Sequence, residues 1–441
     1  MRAGLHAALA AAGPRFWLRD ARLPAALTAE GGDGLRLCDV LIDSGRIAAI
    51  APAGSAAEGI SLEGGQIWPG FVDVHTHLDK GHIWPRSPNP SGDFAGAIAA
   101  VAEDRAAHWS EADMRARADF ALRAAYAHGT VAIRTHLDSY LPHARTTWAL
   151  FDRLRAEWAG RIELQLCSIA PLDRFAGPEG EELADLVARY GGILGMVTRL
   201  EGHVHDALPP DFQPMLDRFF ALAEARGLAL DLHVDESGES GSRALREIAL
   251  TALRRGFRRP IQCGHCCSLS IQPEDFAAET IARVAEAGIR IVVLPMCNLY
   301  LQSRAAGRTP RWRGVTLVHE LAAAGVPVSL ASDNTRDPFY AYGDLDMIEV
   351  YREATRILHL DHPIADWPRA VTATPADTMG LAGRGRLVVG APADLVLLNA
   401  RGWTELLSRP QADRVVLRAG RPIDSTPPDY RELDAVVGGV G

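Results

Sequence analysis

Apolar runs rich in β-branched residues recur at 70–77, 130–136, 162–169, 193–198, 229–234, 260–265, 289–295 and 327–332. Stretches with helical spacing separate most of them, the alternation expected of strands that lead into amphipathic helices. Ser110-Glu-Ala-Asp113 reads as a capping box opening a helix that stops at Gly129. Residues 242–256, 274–287 and 316–324 also repeat at helical spacing and end near glycine or proline. Eight strands alternating with helices over 70–385 is the count of a (β/α)8 TIM-like barrel. A doubly wound open sheet is the competing arrangement.

The flanks have a different texture. Residues 15–69 read as short strands and turns, with two apolar runs about a Ser44-Gly45 turn between Asp39 and Ile50. Similar text returns in Arg386-Leu-Val-Val-Gly-Ala-Pro-Ala-Asp-Leu-Val-Leu-Leu398 and Arg414-Val-Val-Leu-Arg-Ala-Gly-Arg421. The chain is therefore α/β, with a small β-sandwich domain expected from 15–69 plus 386–430 around a barrel at 70–385. Residues 1–14, mostly alanine and broken by His6, read as a flexible extension rather than a signal peptide.

Composition narrows the function. The 441 residues are 48% hydrophobic and 23% charged with a net charge of −9, which argues against nucleic acid or an anionic membrane as partner. No apolar run reaches the roughly 18 residues of a membrane span. Six cysteines without framework spacing (Cys38, Cys167, Cys263, Cys266, Cys267, Cys297) suit a reducing cytoplasm. Lys80 is the only lysine.

Chemistry-bearing residues fall at the ends of the expected strands, where barrel enzymes place their sites. Gly70-Phe-Val-Asp-Val-His-Thr-His-Leu-Asp79 puts His75 and His77 on one face of a strand. Later runs end in Arg134-Thr-His136-Leu-Asp138, Asp231-Leu-His233-Val-Asp-Glu236, Gly264-His265 and Ser332-Asp333-Asn334. One strand histidine is usually a core or loop residue; recurrence at five strand ends is harder to dismiss. Three neutral imidazoles and a carboxylate suit zinc or ferrous iron and leave a position for water.

These motifs resemble the amidohydrolase superfamily and, within it, the cytosine deaminase family. Asn298-Leu-Tyr-Leu-Gln302, Arg313-Gly-Val-Thr316 and Asp333-Asn-Thr-Arg-Asp-Pro-Phe-Tyr340 extend the resemblance over nearly the whole chain. It implies that His75, His77, His233 and Asp333 hold one divalent metal ion, zinc or iron, which activates water toward an sp² carbon. It further implies that Glu236 is the general acid/base, that His265 orients the nucleophile or stabilises developing charge, and that Asp333 doubles as a proton acceptor. Binuclear members of the superfamily bridge their metals with a carboxylated lysine at strand four. Strand four here ends Val197-Thr-Arg-Leu-Glu201, so a mononuclear site is expected.

Other motifs carry less. His203-Val-His205 lies in a Gly/Pro-flanked loop and reads as a loop or substrate-facing pair ahead of a ligand pair. Cys263-Gly-His-Cys266-Cys267 has no second cysteine pair to complete a thiolate site. The H-x-E and P-C-x-x-C signature of the unrelated zinc nucleobase deaminases is absent. His136 is either a support behind the ligands or a plain strand-end histidine, and Met296 and Cys297 read as core.

Substrate residues depart from the family. The cytosine-reading glutamine falls near Pro171-Leu172, the acidic residue after the metal aspartate is Asn334, and the pocket tryptophan is Phe339. Leu172 lacks the donor and acceptor that fix a pyrimidine amide edge. Leu172, Asn334 and Phe339 are the candidate specificity residues. The Ser-Asp-Asn text is also similar to the triazine-derived N-alkyl amidohydrolases. The expected reaction is deamination of a cytosine-like N-heterocycle (nucleobase, triazine or similar) releasing ammonia. Hydrolysis of an N-alkylamino heterocycle or cyclic amide is the alternative, and a non-catalytic member the distant one. The partner is a small heterocycle, and the resemblance implies a homo-oligomer.

Overall fold

The computed structural model describes residues 2–201 and 208–438, so His203 and His205 lie outside the described residues. In chain order its strands are β1 Arg15–Pro24, β2 Leu35–Asp43, β3 Arg46–Pro52, β4 Ile60–Ser61, β5 Gln66–Pro69, β6 Phe71–Thr76, β7 Thr130–Asp138 and β8 Glu163–Ile169. There follow β9 Leu194–Val197, β10 Leu230–Val234, β11 Ile261–His265, β12 Arg290–Val293, β13 Val328–Leu330, β14 Leu395–Leu398, β15 Val415–Arg418 and β16 Arg421–Pro422. The protein is α/β with parallel sheets and a further, mostly antiparallel one.

Two compact units interleave along the chain. One comprises Met1–Asp73, Leu122–Ala132 and Leu345–Pro428; the other comprises Val74–Ala121, Ile133–Asp344 and Asp429–Gly441.

In the first unit, strands from both flanks share one sheet of eight, ordered β16-β15-β14-β5-β1-β2-β3 with β4 on β1. Ser44 and Gly45, at φ 50° and 78°, turn β2 into β3 between the paired Asp43 and Arg46, the left-handed pair a two-residue hairpin requires. Because β5 and β14 pair antiparallel through Trp68 and Val396, hydrogen bonding runs unbroken across the sheet. Strands from the two flanks are thus joined edge to edge in one hydrogen-bonded sheet. Residues 345–385, expected with the barrel, belong here; the helix Met347–Leu358 sets Tyr351 5.7 Å from Trp68, ring to ring. The start of the chain also differs from the expected flexible extension. Arg2–Ala11 is a helix, as alanine's high propensity favours, and Leu9 is fully buried.

The second unit carries a five-stranded parallel sheet ordered β13-β12-β11-β10-β9, and β6, β7 and β8 neighbour one another in a three-stranded sheet. Parallel bridges Cys167↔Ile193 and Thr76↔Asp333 link the edges of the two. β7, β10 and β11 are buried along their whole length, as parallel strands covered on both faces must be. The helix Glu111–His128 opens where expected, with Asp113 N donating to Ser110 Oγ at 3.2 Å. No helix among the described residues is long and apolar enough to cross a membrane.

Candidate active site

The sequence places histidines where β6, β7, β10 and β11 end, and the fold brings those ends together. One donor atom each from His75, His77, His136 and His233 falls within 4.8 Å of the others, and the same holds for His75, His265 and Asp333. His75 Nε2 lies 3.5 Å and His77 Nε2 3.3 Å from Asp333 Oδ1, and His233 Nε2 lies 3.3 Å from His77 Nε2. His265 and Asp333 sit at φ 67° and 65°, a left-handed turn of the chain at the strand end that aims their side chains back into the cluster. Gly264 leaves room beside them: a Cβ there would stand 3.2 Å from His75 Cε1 and press on that ring.

All these groups are buried. Burial, reinforced by His136 and the other imidazoles, pushes His75 and His233 well below the usual histidine range. Burial followed by the Lys80 ammonium does the same to His77. The rings are thus neutral, the form in which histidine binds a metal. Neutral imidazoles converging with a carboxylate fit a divalent ion, and these residues are able to hold one.

Beside the cluster stands Glu236. Asn298 Nδ2 donates to Glu236 Oε1 at 3.2 Å and lies 2.9 Å from His265 Nδ1, and Gln302 Nε2 donates to the Glu236 carbonyl at 3.3 Å. Burial, with His136 adding to it, pushes His265 down to about 3, so this ring is neutral too. Behind the cluster, His136 Nε2 lies 3.3 Å from Asp231 Oδ1, while Arg134 and Gln262 donate to Asp231 Oδ2 at 2.7 and 2.8 Å. Burial opposes that carboxylate, but His136 and Arg134 outweigh it and hold Asp231 below its usual range.

A pocket of about 670 Å³, its open mouth included, leads to these residues. Phe94, Ile98, Val101, Ala102 and Arg105 line it from one face of the helix Phe94–His108, a wall the sequence reading missed because alanine masks the periodicity. Asn334 and Phe339 also line it. Asn334 Nδ2 donates to Asp337 Oδ2 at 2.7 Å, and Phe339 meets Phe94 edge-on at 5.6 Å between ring centres. Leu172 departs from expectation: it is fully buried in the turn Leu172–Phe175, and Ile169 and Ala170 line the pocket in its place. The strand ends at Ile169, where the apolar run ends, and the turn that follows carries Leu172 into the core. The cysteines of the 263–267 motif are buried and form no disulfide among the described residues, in keeping with their core reading. Lys80 and Arg105 also line the pocket, both paired with Asp138.

The Amidohydrolase family (Amidohydro_3) matches residues 58–160 and 193–424. The chain belongs to this family. It is 52% identical over 432 residues to a pterin deaminase from Rhizobium rhizogenes, covering 96% of this chain and 97% of that one. It is 25% identical to an N-isopropylammelide isopropyl amidohydrolase from a Pseudomonas species, covering 79% and 83%. Among solved structures, 5-methylcytosine deaminase from Klebsiella pneumoniae superposes with a TM-score of 0.79 at 24% identity, over 92% of this chain and 97% of that one. N-isopropylammelide isopropylaminohydrolase from Burkholderia multivorans does so with a TM-score of 0.70 at 28% identity, over 93% and 98%. This amidohydrolase is a hydrolase acting on C–N bonds, which removes the non-catalytic alternative.

Proposed function

We propose that this amidohydrolase removes the exocyclic amino group of a pterin-like 2-amino-4-oxo heterocycle and releases ammonia. The observation that carries the reading is the 52% identity, along nearly the whole chain, to a pterin deaminase. The placement of Glu236 and His265 beside the histidine cluster supports it. The parallel bridges at Cys167↔Ile193 and Thr76↔Asp333 support closure of the two parallel sheets into one (β/α)8 barrel, with the chain's flanks forming the smaller domain.

In this reading His75, His77, His233 and Asp333 would hold one divalent metal ion, which would supply Lewis acidity toward a water. Glu236 takes one proton of the water on its carboxylate and delivers it to the ring nitrogen; the remaining proton, on the newly attached hydroxyl, is taken up by Asp333 and passes to the amine as the C–N bond breaks, releasing ammonia. Asn298 holds Glu236 Oε1 in position for both transfers. With the Asn298 amide nitrogen donating, His265 Nδ1 accepts and its proton rests on Nε2, available to an oxygen in the pocket. Asn334 and Phe339 form the wall against which the heterocycle lies.

Ammonia release from pterin, cytosine, an aminotriazine and an N-alkylaminotriazine, with protein reconstituted separately with zinc and ferrous iron, tests this. Release from pterin with the greatest kcat/KM is expected. Alkylamine as the sole product would overturn the reading in favour of the N-alkyl alternative.

A further inference from the structure

Among 46 lysine and arginine residues, Lys80 is the only lysine. It follows His77 by three residues, is 5% exposed, and borders the pocket. Its ammonium donates to Asp138 Oδ1 at 2.8 Å, its one hydrogen-bond acceptor among the described residues. Two of its three protons are left for an acceptor in the pocket. Asp138 is fixed from the other side: Arg105 Nη1 donates to its Oδ2 at 2.6 Å, and its own backbone N–H donates to Asp79 Oδ2 at 2.7 Å. The ammonium also stands 5.4 Å from the centre of the Phe339 ring, the aromatic wall of the pocket. Donor and flat wall thus face the same space, while the Asn334 amide nitrogen is already given to Asp337.

The choice of lysine is informative. Everywhere else this chain meets the need for a cation with arginine. A guanidinium is a planar fork suited to carboxylates, whereas an ammonium is a compact point donor that serves a single oxygen. We propose that Lys80 is a specificity-determining residue that donates a hydrogen bond to the carbonyl oxygen of the amino-oxo ring, held in place by Asp138 and Arg105. The inference deepens the aminohydrolase reading and rests on it. No bond is made or broken at Lys80, which keeps its proton.

The test is equilibrium binding by calorimetry to metal-loaded protein carrying Glu236→Gln, so that turnover does not interfere. The probes are 2-amino-4-oxopteridine and 2,4-diaminopteridine, which differ at the one group Lys80 is proposed to read. A charge-assisted hydrogen bond of ordinary strength gives a preference for the oxo ring of roughly 10- to 100-fold. Adding Lys80→Met or Lys80→Arg should reduce it to about 3-fold or less while metal content stays the same. Should Lys80→Met fail to fold, Lys80→Met with Asp138→Asn removes the buried charge that Arg105 alone would then balance, and carries the same expectation. An undiminished preference in these variants, or none in the parent, overturns the inference. If Lys80 sets the preference but the otherwise unmodified enzyme releases no ammonia from pterin, the inference stands and the proposed reaction falls. If neither ring binds, both fall.

Discussion

The amide nitrogen of Asn298 lies 3.2 Å from Oε1 of Glu236. Asn298 is fully buried in the short helix Pro295–Leu301, so it holds the carboxylate from a rigid support. Asn298→Ala should lower kcat roughly 10- to 100-fold, in line with a lost hydrogen bond to a charged group, and leave KM within about 3-fold. Steady-state kinetics with metal analysis checks this; a change confined to KM would show that Asn298 does not position Glu236.

Glu236 itself carries the proton in the proposed cycle. Glu236→Gln should reduce kcat by about 10²- to 10⁴-fold while the protein still binds its metal. Retained turnover at equal metal content would remove Glu236 from that role.

The neutral cluster should take one divalent ion per chain. Chelation should abolish turnover and lower the melting temperature, and added zinc or ferrous iron should restore both; an ion at 100 times its Kd adds about 2.7 kcal/mol to stability. Two ions per active chain would contradict the mononuclear expectation.

His136 and His75 have ring centres 4.1 Å apart, and Asp231 pairs with the far side of the cluster through His136. His136→Gln should weaken metal binding by roughly 10- to 100-fold, as loss of a support behind a ligand does. Competition with a metallochromic chelator measures it, and unchanged affinity would return His136 to the status of a core histidine.

His82 offers a pH test remote from the cluster. Burial, with Arg336 adding to it, pushes His82 down to about 3. The folded protein therefore keeps this ring neutral, whereas the unfolded chain protonates it below about 6.5. Its contribution to stability is complete above that pH and is lost as pH falls toward 3, at about 1.4 kcal/mol per pH unit. His82→Phe, which suits the edge-on contact with Phe120 at 5.0 Å, should lose about 2 kcal/mol less than the parent between pH 8 and pH 5. Urea unfolding at both pH values decides it, and equal losses would contradict the assignment.

Much of this was legible in the sequence, for identifiable reasons. In the second unit β7, β10 and β11 are buried along their whole length, so they read as largely apolar runs; β11, expected at 260–265, spans Ile261–His265. The histidines and acids stand out because polar residues are costly at such strand ends unless they have partners. The helix Phe94–His108 stayed hidden because Ala97, Ala100 and Ala102 give its two faces nearly equal hydrophobicity. Leu172 was misplaced because where a loop turns inward depends on tertiary packing, which spacing does not encode. Lys80 was visible only as an oddity of composition until its neighbours Asp138 and Phe339 were in place.

The interleaving of the two units bears on how the protein is made. Asp429–Gly441 belongs to the catalytic unit but follows Leu345–Pro428, which completes the other. Tyr430 returns to bond Asp344 at 2.8 Å and to lie under the Arg336 guanidinium at 3.9 Å, and Arg86 reaches the Val436 carbonyl at 3.2 Å. On the ribosome, the catalytic unit cannot be completed until the segment that completes the other has been made, and the usual order of one domain folding before the next is synthesised does not apply. A nascent chain stalled before residue 429 would hold a catalytic unit still missing its final segment, with Phe120 deprived of the cover that Leu433 and Val437 provide.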